Sequence, residues 1–334
     1  MTDSATLGAV VIGRNEGERL KQCLRSMVEQ VEKIVYVDSG STDDSVAFAH
    51  SIGVAVVELD TSIPFSAGRA RNEGFAALKS ELPSVEFVQF VDGDCQLEAA
   101  WLSQAAAFLS ENPKAAIVCG QRKERYPEAS IYNRMCDIEW NTPVGQAMAC
   151  GGDFLARAEA FAQVQGFNPA VVAGEEPEMC FRLREQGWQI WRIGQIMTRH
   201  DAQMTRFKQW WLRAKRCGHA YAQGEFLHGD SPEKYYRREV KSALLWGWLI
   251  LLTPLGLVLG LLGMPLLTLI LLCPPVLLFA KVLKYCLLDK RLEPAEATVY
   301  SFFIALAKVP ELIGIITFRS RNRNNQRPSI IEYK

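Results

Sequence analysis

The chain has 334 residues, with 37 Lys and Arg against 37 Asp and Glu. That balance leaves no global field to recruit nucleic acid. Nine cysteines without a Cys-x-x-Cys pair suggest neither a zinc ribbon nor a disulfide framework, and fit reduced thiols facing the cytoplasm.

In chain order, Leu7–Ile12 is a short apolar run rich in β-branched residues, which predicts a buried strand. It is too short for a secretory signal and opens into Arg14-Asn15-Glu16, so no leader is expected. Leu20, Cys23, Leu24, Met27 and Val31 recur at helical spacing. Lys33–Val37 predicts a second strand, ending in Asp38-Ser39-Gly40-Ser41-Thr42-Asp43-Asp44, a loop that caps a helix over Ser45–Ser51. Val54–Leu59 is a third strand, Arg71–Leu78 a helix, and Phe87–Val91 a fourth strand running into Asp92-Gly93-Asp94. Further on, Glu175-Glu176 opens a helix with Pro177 in its first turn and Gly187 past its end. His200 follows a strand over Gln189–Met197.

This alternation implies a mostly parallel sheet with right-handed crossovers. Such sheets bind ligands at the carboxyl ends of their strands, where Arg14, Glu16, Asp38, Asp92 and Asp94 fall. Two carboxylates one residue apart at a strand exit suit a divalent Mg²⁺ or Mn²⁺ holding a diphosphate, although Asp-Gly-Asp also makes an ordinary turn. No G-x-G-x-x-G follows the first strand and no Gly-Lys-Ser/Thr occurs, which disfavours an NAD enzyme or a kinase.

After His200, the residues Phe207, Trp210, Trp211, Ala214 and Tyr221 fall on one helical face. Arg206, Lys208, Arg213, Lys215 and Arg216 surround it, as in a helix lying at a membrane interface. Residues 242–280 then run 39 positions without a charge. As one helix they would span about 58 Å, nearly twice a hydrocarbon core of roughly 30 Å. A hairpin turning near Gly260–Pro265 is therefore expected. It places both basic flanks, Lys234 to Lys241 and Lys281 to Arg291, on the cytoplasmic side. Val299–Phe318 is apolar but carries Lys308 and Glu311, each costing about 2.5–3.5 kcal/mol at the centre of a span. Together with the basic tail of Arg319, Arg321, Arg323 and Arg327, this predicts an interfacial helix.

Six segments in order, spread over roughly residues 7–200, resemble glycosyltransferase family 2, nucleotide-sugar enzymes of GT-A fold. They are Val11-Ile12-Gly13-Arg14-Asn15-Glu16, Val37-Asp38-Ser39-Gly40-Ser41-Thr42-Asp43, Arg69-Ala70-Arg71-Asn72, Val91-Asp92-Gly93-Asp94, Gly151-Gly152-Asp153 and Gly174-Glu175-Glu176-Pro177-Glu178. The resemblance implies that Arg14, Glu16, Asp38, Arg69, Arg71 and Asp92 bind the donor, Asp38 through a uracil-like base. It implies that Asp94, less directly Asp92, and His200 hold Mg²⁺ or Mn²⁺. Gly151, Gly152 and Asp153 would line the acceptor pocket. Glu176 would be the general base with Glu175 as its substitute, where many relatives carry Glu-Asp. An Asx turn at Asp38, a helix-entry Arg pair at Arg69 and Arg71, and acids favoured by a helix dipole at Glu175 and Glu176 would use the same residues structurally.

The architecture expected is α/β. A GT-A-like, Rossmann-type, mostly parallel sheet with helices on both faces occupies residues 1–204. An amphipathic interface helix and basic juxtamembrane segment (205–241), a transmembrane hairpin (242–280) and a basic cytoplasmic tail with an interfacial helix (281–334) follow. The function expected is inverting, metal-dependent transfer of a single sugar from a nucleotide sugar to a membrane-associated, lipid-linked acceptor in glycan or polysaccharide biosynthesis. Its place is the inner (cytoplasmic) membrane, with the catalytic domain in the cytoplasm. Competing readings are a membrane-anchored transferase acting on a soluble or protein acceptor, and a non-catalytic nucleotide-sugar-binding scaffold.

Overall fold

The computed structural model describes residues 5–324, so Arg327 of the expected basic tail lies outside the described residues. The chain divides into two units between Thr205 and Arg206.

The first unit begins β1 (Leu7–Gly13), α1 (Glu18–Arg25), β2 (Lys33–Asp38), α2 (Ser45–Ser51), β3 (Ala55–Glu58), α3 (Ala67–Glu81) and β4 (Phe87–Asp92). It continues with β5 (Cys95–Leu97), α4 (Trp101–Glu111), β6 (Ala115–Glu124), α5 (Ile131–Trp140), β7 (Gly145–Ala147), β8 (Phe154–Arg157), α6 (Ala158–Gln163), α7 (Glu175–Glu185) and β9 (Gln189–His200). The strands form one sheet in the order β3-β2-β1-β4-β8-β6-β9-β5, with β7 added against β9. It is parallel from β3 to β4 and between β6 and β9, and antiparallel where β8, β5 and β7 join. The chain order reverses at β1, whose register pairs Gly13 with Asp38 and Ile12 with Asp92. The strand ends carrying the sequence-predicted acids therefore lie side by side, at the edge where such sheets bind ligands.

β1, β2 and β4 are mostly apolar and buried along most of their length. Gln89 is fully buried in β4 and accepts the Trp101 indole N–H at 2.8 Å, so its burial leaves no orphaned acceptor. Phe75, Phe90, Phe154, Phe161 and Phe167 pack ring to ring between α3, β4, β8 and α6, with centroid separations from 4.6 to 6.5 Å.

Three elements differ from the periodicity. α1 stops at Arg25 rather than continuing to Val31, because the Ser26 hydroxyl turns back onto the Cys23 carbonyl at 2.6 Å and accepts the Leu97 N–H. α3 starts at Ala67, four residues before Arg71, because Ser66 caps it by accepting the Arg69 N–H. β9 runs three residues beyond Met197, since Thr198, Arg199 and His200 pair with Leu97, Gln96 and Cys95. His200 thus closes a strand instead of following one.

The second unit contains α8 (Phe207–His228), α9 (Arg237–Leu251), α10 (Thr253–Leu261), α11 (Pro265–Leu288), α12 (Pro294–Leu306) and α13 (Lys308–Arg323). Three helical segments in it are long and apolar enough to cross a membrane: Arg237–Leu261, Pro265–Leu288 and Pro294–Arg323. α10 and α11 are antiparallel, with Gly256 against Leu271 and Gly260 against Thr268. They are joined through Gly263, whose φ of +73° suits glycine. The turn falls inside the expected Gly260–Pro265 window. α11 extends to Leu288, so Lys281 and Lys284 sit on the helix rather than beyond it. The segment expected to be one helix over Val299–Phe318 is two, α12 and α13, and Lys308 pairs with Glu311 at 2.7 Å. The aromatic stripe of α8 is shared between two environments: Trp210 is buried against Phe303, 4.9 Å between centroids, while Phe207 remains exposed.

Gly74 lies where α3 crosses β1 and β2, and a Cβ there would press on Val10 and, at 2.7 Å, on Val37. Alanine would favour the helix by up to about 1 kcal/mol, but overpacking a tight core costs about 1–3 kcal/mol. Gly74→Ala is therefore expected to lower stability by about 1–2 kcal/mol, read from unfolding of the full chain in detergent. A neutral or stabilising result would contradict the packing described.

Candidate active site

The loops after β1 and β2 are tied together. Asn15, at φ +55°, accepts the Thr42 N–H at 2.7 Å and donates its own N–H to Ser41 Oγ at 2.9 Å. Gly17 N–H reaches Asp43 at 3.1 Å. Asp38 is buried at the end of β2; it accepts the Tyr36 hydroxyl at 2.7 Å and the backbone N–H groups of Gly40 and Ser41 at 2.9 and 2.8 Å. Its carboxylate thus builds the Asx turn that shapes this loop. Arg14 is exposed. Glu16 pairs with Arg19 at 2.6 Å and lies against Gly93, where a Cβ would meet it at 3.3 Å and the Ile12 carbonyl at 3.1 Å. A side chain at the centre of Asp-Gly-Asp would thus press on the end of β1, which would have to give by a few tenths of an ångström.

Arg69 and Arg71, equivalent in the sequence, separate completely. Arg69 turns away, pairing with Glu73 and donating to the carbonyls of Asp60 and Ile63, so it secures the segment before α3. Arg71 is 2% exposed and projects into the site. Its guanidinium contacts Asp92 Oδ1 at 2.7 Å and Glu176 Oε1 at 2.9 Å, with Glu175 at 4.0 Å. Burial alone would raise the Asp92 carboxyl, but Arg71 overrides it and holds Asp92 below its ordinary value. Glu176 goes the other way. Burial and then the Glu175 charge push it up to about 7 against the pull of Arg71, which is shared.

Gly151-Gly152-Asp153 enters from the opposite side. A Cβ on Gly152 would meet Asp92 Oδ2 at 2.6 Å and Arg71 Nη2 at 2.9 Å, so this glycine permits the Arg71–Asp92 pair. Asp153 is fully buried. It accepts the Asp92 N–H at 3.1 Å and the Thr198 hydroxyl at 2.8 Å, and pairs with Arg122 at 2.7 Å. Asp153 thus pins the Asp-Gly-Asp turn from inside and presents no surface to an acceptor. The preceding Cys150 touches Cys180 of α7, Sγ to Sγ 3.5 Å, joining the glycine loop to the helix of Glu176.

The β5–β9 pairing brings Asp94 and His200 together, Oδ2 to Nε2 3.1 Å, both nearly buried. Asp94, Cys95 and His200 each offer a ligand atom within 4.8 Å of the others. Burial drives the Cys95 thiol well up, so it stays protonated and faces Asp94 at 3.7 Å as a donor. What remains is carboxylate and imidazole, a donor set that fits a hard divalent cation such as Mg²⁺ or Mn²⁺. Asp92 stays in the grip of Arg71, outside this group.

Sequence reasoning missed Arg122 and Trp140. The Arg122 guanidinium lies 5.4 Å over the Trp140 ring, and that ring meets the His200 imidazole at 4.8 Å. A buried-strand pattern interrupted by Arg122 was the available signal, since a cation there requires a buried acid.

A mixed sheet with metal-suited ligands and a carboxylate-bearing helix at its carboxyl edge defines the GT-A class of fold. The architecture matches that of a mannosyltransferase from Pyrobaculum calidifontis in complex with GDP-Man and Mn²⁺, with a TM-score of 0.55 at 15% identity, covering 97% of this chain and 88% of that one. Residues 9–153 match the family described as Glycosyl transferase family 2, and the chain carries a domain of that family. A TPR repeat-containing protein of Synechococcus elongatus is 29% identical over 140 residues, 42% of this chain and 32% of its own length. A pre-mycofactocin glycosyltransferase of Mycobacterium tuberculosis is 24% identical over 266 residues, 74% of this chain. The chain spans 32% and 53% of the lengths of these two relatives.

Replacing Arg71 by Met would strand buried carboxylates, which costs about 3–5 kcal/mol when one partner of a buried pair is removed. With the cation gone, Glu176 would rise further above its unfolded value. A carboxyl raised in this way loses stability as pH climbs through its folded pKa. The deficit of Arg71→Met is therefore expected to be larger at pH 8 than at pH 5 in paired unfolding curves. An equal deficit at both would show that the carboxylates do not carry it.

Proposed function

We propose that the protein is an inverting, metal-dependent glycosyltransferase that moves one sugar from a nucleotide sugar to a membrane-associated, lipid-linked acceptor. One observation carries the reading: a single guanidinium, Arg71, joins Asp92 at the end of β4 to Glu176 at the start of α7. The diphosphate end of the site and a carboxylate able to take a proton are thereby held a few ångströms apart.

In this reading Asp38, Glu16 and Arg14 border the nucleoside, and Arg71 and Asp92 order the diphosphate end. Asp94 and His200 hold Mg²⁺ or Mn²⁺, which when bound offsets charge on the departing nucleoside diphosphate. The acceptor hydroxyl enters beside Gly151 and Gly152. As its oxygen attacks the anomeric carbon, Glu176 takes the hydroxyl proton and the bond to the diphosphate breaks. One base and no enzyme nucleophile give a single displacement, hence inversion. Glu175 is the substitute base. Single-sugar transfer fits the three candidate spans among the described residues, a small set for a polymer channel.

The apolar helices support attachment to the bilayer, and the basic flanks Lys234 to Lys241 and Lys281 to Arg291 favour a cytoplasmic catalytic domain at the inner membrane. In this assignment α8 and the Val299–Phe318 region lie at the interface. Lipid-linked acceptors would meet the enzyme in that layer.

Glu176→Gln is expected to keep nucleotide-sugar binding while turnover falls about 10²- to 10⁴-fold. In the unmodified enzyme kcat/KM should climb with pH and level off above about 7, because the base acts only when ionised. Unimpaired turnover in the variant would move the base elsewhere. Asp94→Ala should abolish transfer in lipid extracts and remove the Mn²⁺-dependent thermal stabilisation by nucleotide sugars, which follows from ligand binding to the folded state. Retained metal-dependent stabilisation would displace the ligand assignment.

A further inference from the structure

A histidine that binds a metal is ordinarily oriented by a hydrogen bond from its other ring nitrogen to a carboxylate, carbonyl or water. The protein's own groups supply no such bond to His200 among the described residues. Its Nε2 faces Asp94 at 3.1 Å, but Nδ1 is buried and has no hydrogen-bond partner among the described residues. Beside the Asp94 contact, packing is the constraint that the protein places on the ring. The ring packed on it is Trp140, the last residue of α5, with centroids 4.8 Å apart and planes at 62°. This edge-to-face arrangement is the one aromatic quadrupoles favour.

Trp140 is itself fixed from behind. Arg122 lies 5.4 Å over its face and is locked to Asp153 at 2.7 Å. Asp153 in turn holds the Asp92 N–H and the Thr198 hydroxyl. α5 is anchored to β6 by polar ties at several points. Ser130 caps it through the Asn133 N–H, Asn133 donates to Glu124 and to the Tyr126 carbonyl, and Asp137 accepts the Glu124 N–H. The contacts close a circuit: Asp92, Asp153, Arg122, Trp140, His200, Asp94. One acid therefore places the turn that carries Asp94 and, through a cation and an indole, the imidazole opposite it.

We propose that Trp140 is the positioning residue of His200: seated on Arg122, its ring holds the imidazole with Nε2 toward Asp94 and so sets the affinity of the site for a divalent cation. The inference rests on the metal-site reading above and assigns to an aromatic contact the task usually performed by a hydrogen bond.

The test is Mn²⁺ binding to the full chain in detergent, without nucleotide, followed by the paramagnetic resonance of free Mn²⁺. Trp140→Ala and Trp140→Leu should each weaken Mn²⁺ binding about ten- to a hundredfold, as loss of an orienting partner does, while Trp140→Phe should stay within about threefold of the parent. Leucine fills space without a ring, so rescue by phenylalanine and not by leucine separates ring orientation from mere packing. The melting temperatures of the metal-free Phe and Leu variants should be alike. If Trp140→Ala fails to fold, the Phe and Leu pair still decides. Unchanged affinity in Trp140→Leu, or loss equal in the Phe and Leu variants, would overturn the proposal. If the parent shows no Mn²⁺ site that Asp94→Ala removes, the underlying metal reading falls and this proposal with it.

Discussion

The buried guanidinium of Arg71, set among Asp92, Glu175 and Glu176, is the interaction on which the rest of the site depends. A desolvated cation is tolerated only when its partners are close and well aligned. The planar fork of arginine meets that condition because its two terminal nitrogens reach carboxylates on two different elements. Lysine would have to gather both carboxylates at one nitrogen, as Lys21 does with Glu18 and Asp44. The demand propagates outward. Gly152 must lack a side chain so that Arg71 and Asp92 can meet, and Asp153 must hold the Asp92 N–H so that the strand end is presented correctly. The start of α7 is fixed by the same cation, with the Cys150–Cys180 contact as a second tie.

Much of this was legible in the sequence, for reasons that differ by element. β1, β2 and β4 are short, mostly apolar runs with acids or glycine at their ends, so both their extent and the location of the acids could be read directly. The start of α7 was legible from its acidic first turn. What escaped was anything decided by distant partners. The extension of β9 through Arg199 and His200 depends on pairing with β5, a hundred residues earlier in the chain. The early stop of α1 depends on Ser26 serving Leu97. Arg69 and Arg71 are indistinguishable by pattern, and only the direction each takes from α3 separates loop support from site chemistry. Asp153 was noticed for its glycines, yet its role comes from Arg122 and Thr198, which no local motif links to it.

The helical unit follows a different logic, that of close backbone approach. A Cβ on Gly218 would run into the Glu311 carbonyl, and one on Gly314 into the carbonyl of Lys215, so α8 and α13 cross where both lack side chains. Gly247 approaches the Lys308 carbonyl in the same manner at the α9–α13 crossing. Small residues let helices approach to backbone contact at such crossings. The Lys308–Glu311 pair belongs to this packing: Glu311 is buried, and its cation one turn away spares it from standing as an isolated charge.

The acids at the sheet edge show how one residue class can be given several tasks by environment alone. Asp92 is held ionised by the cation beside it to lower pH than an ordinary aspartate, so it keeps its geometry across the neutral range. Glu176 shares that cation but is more heavily penalised by burial and by Glu175, which brings its ionisation to about 7. A carboxylate poised there binds a proton far more readily than an ordinary glutamate, yet still surrenders it near neutrality. Asp94 is turned away from Arg71, with one oxygen facing the His200 imidazole and the other the Cys95 thiol. Because Arg71 touches the first two and not the third, its position alone gives three neighbouring carboxyl groups different electrostatic surroundings within one turn and one helix start.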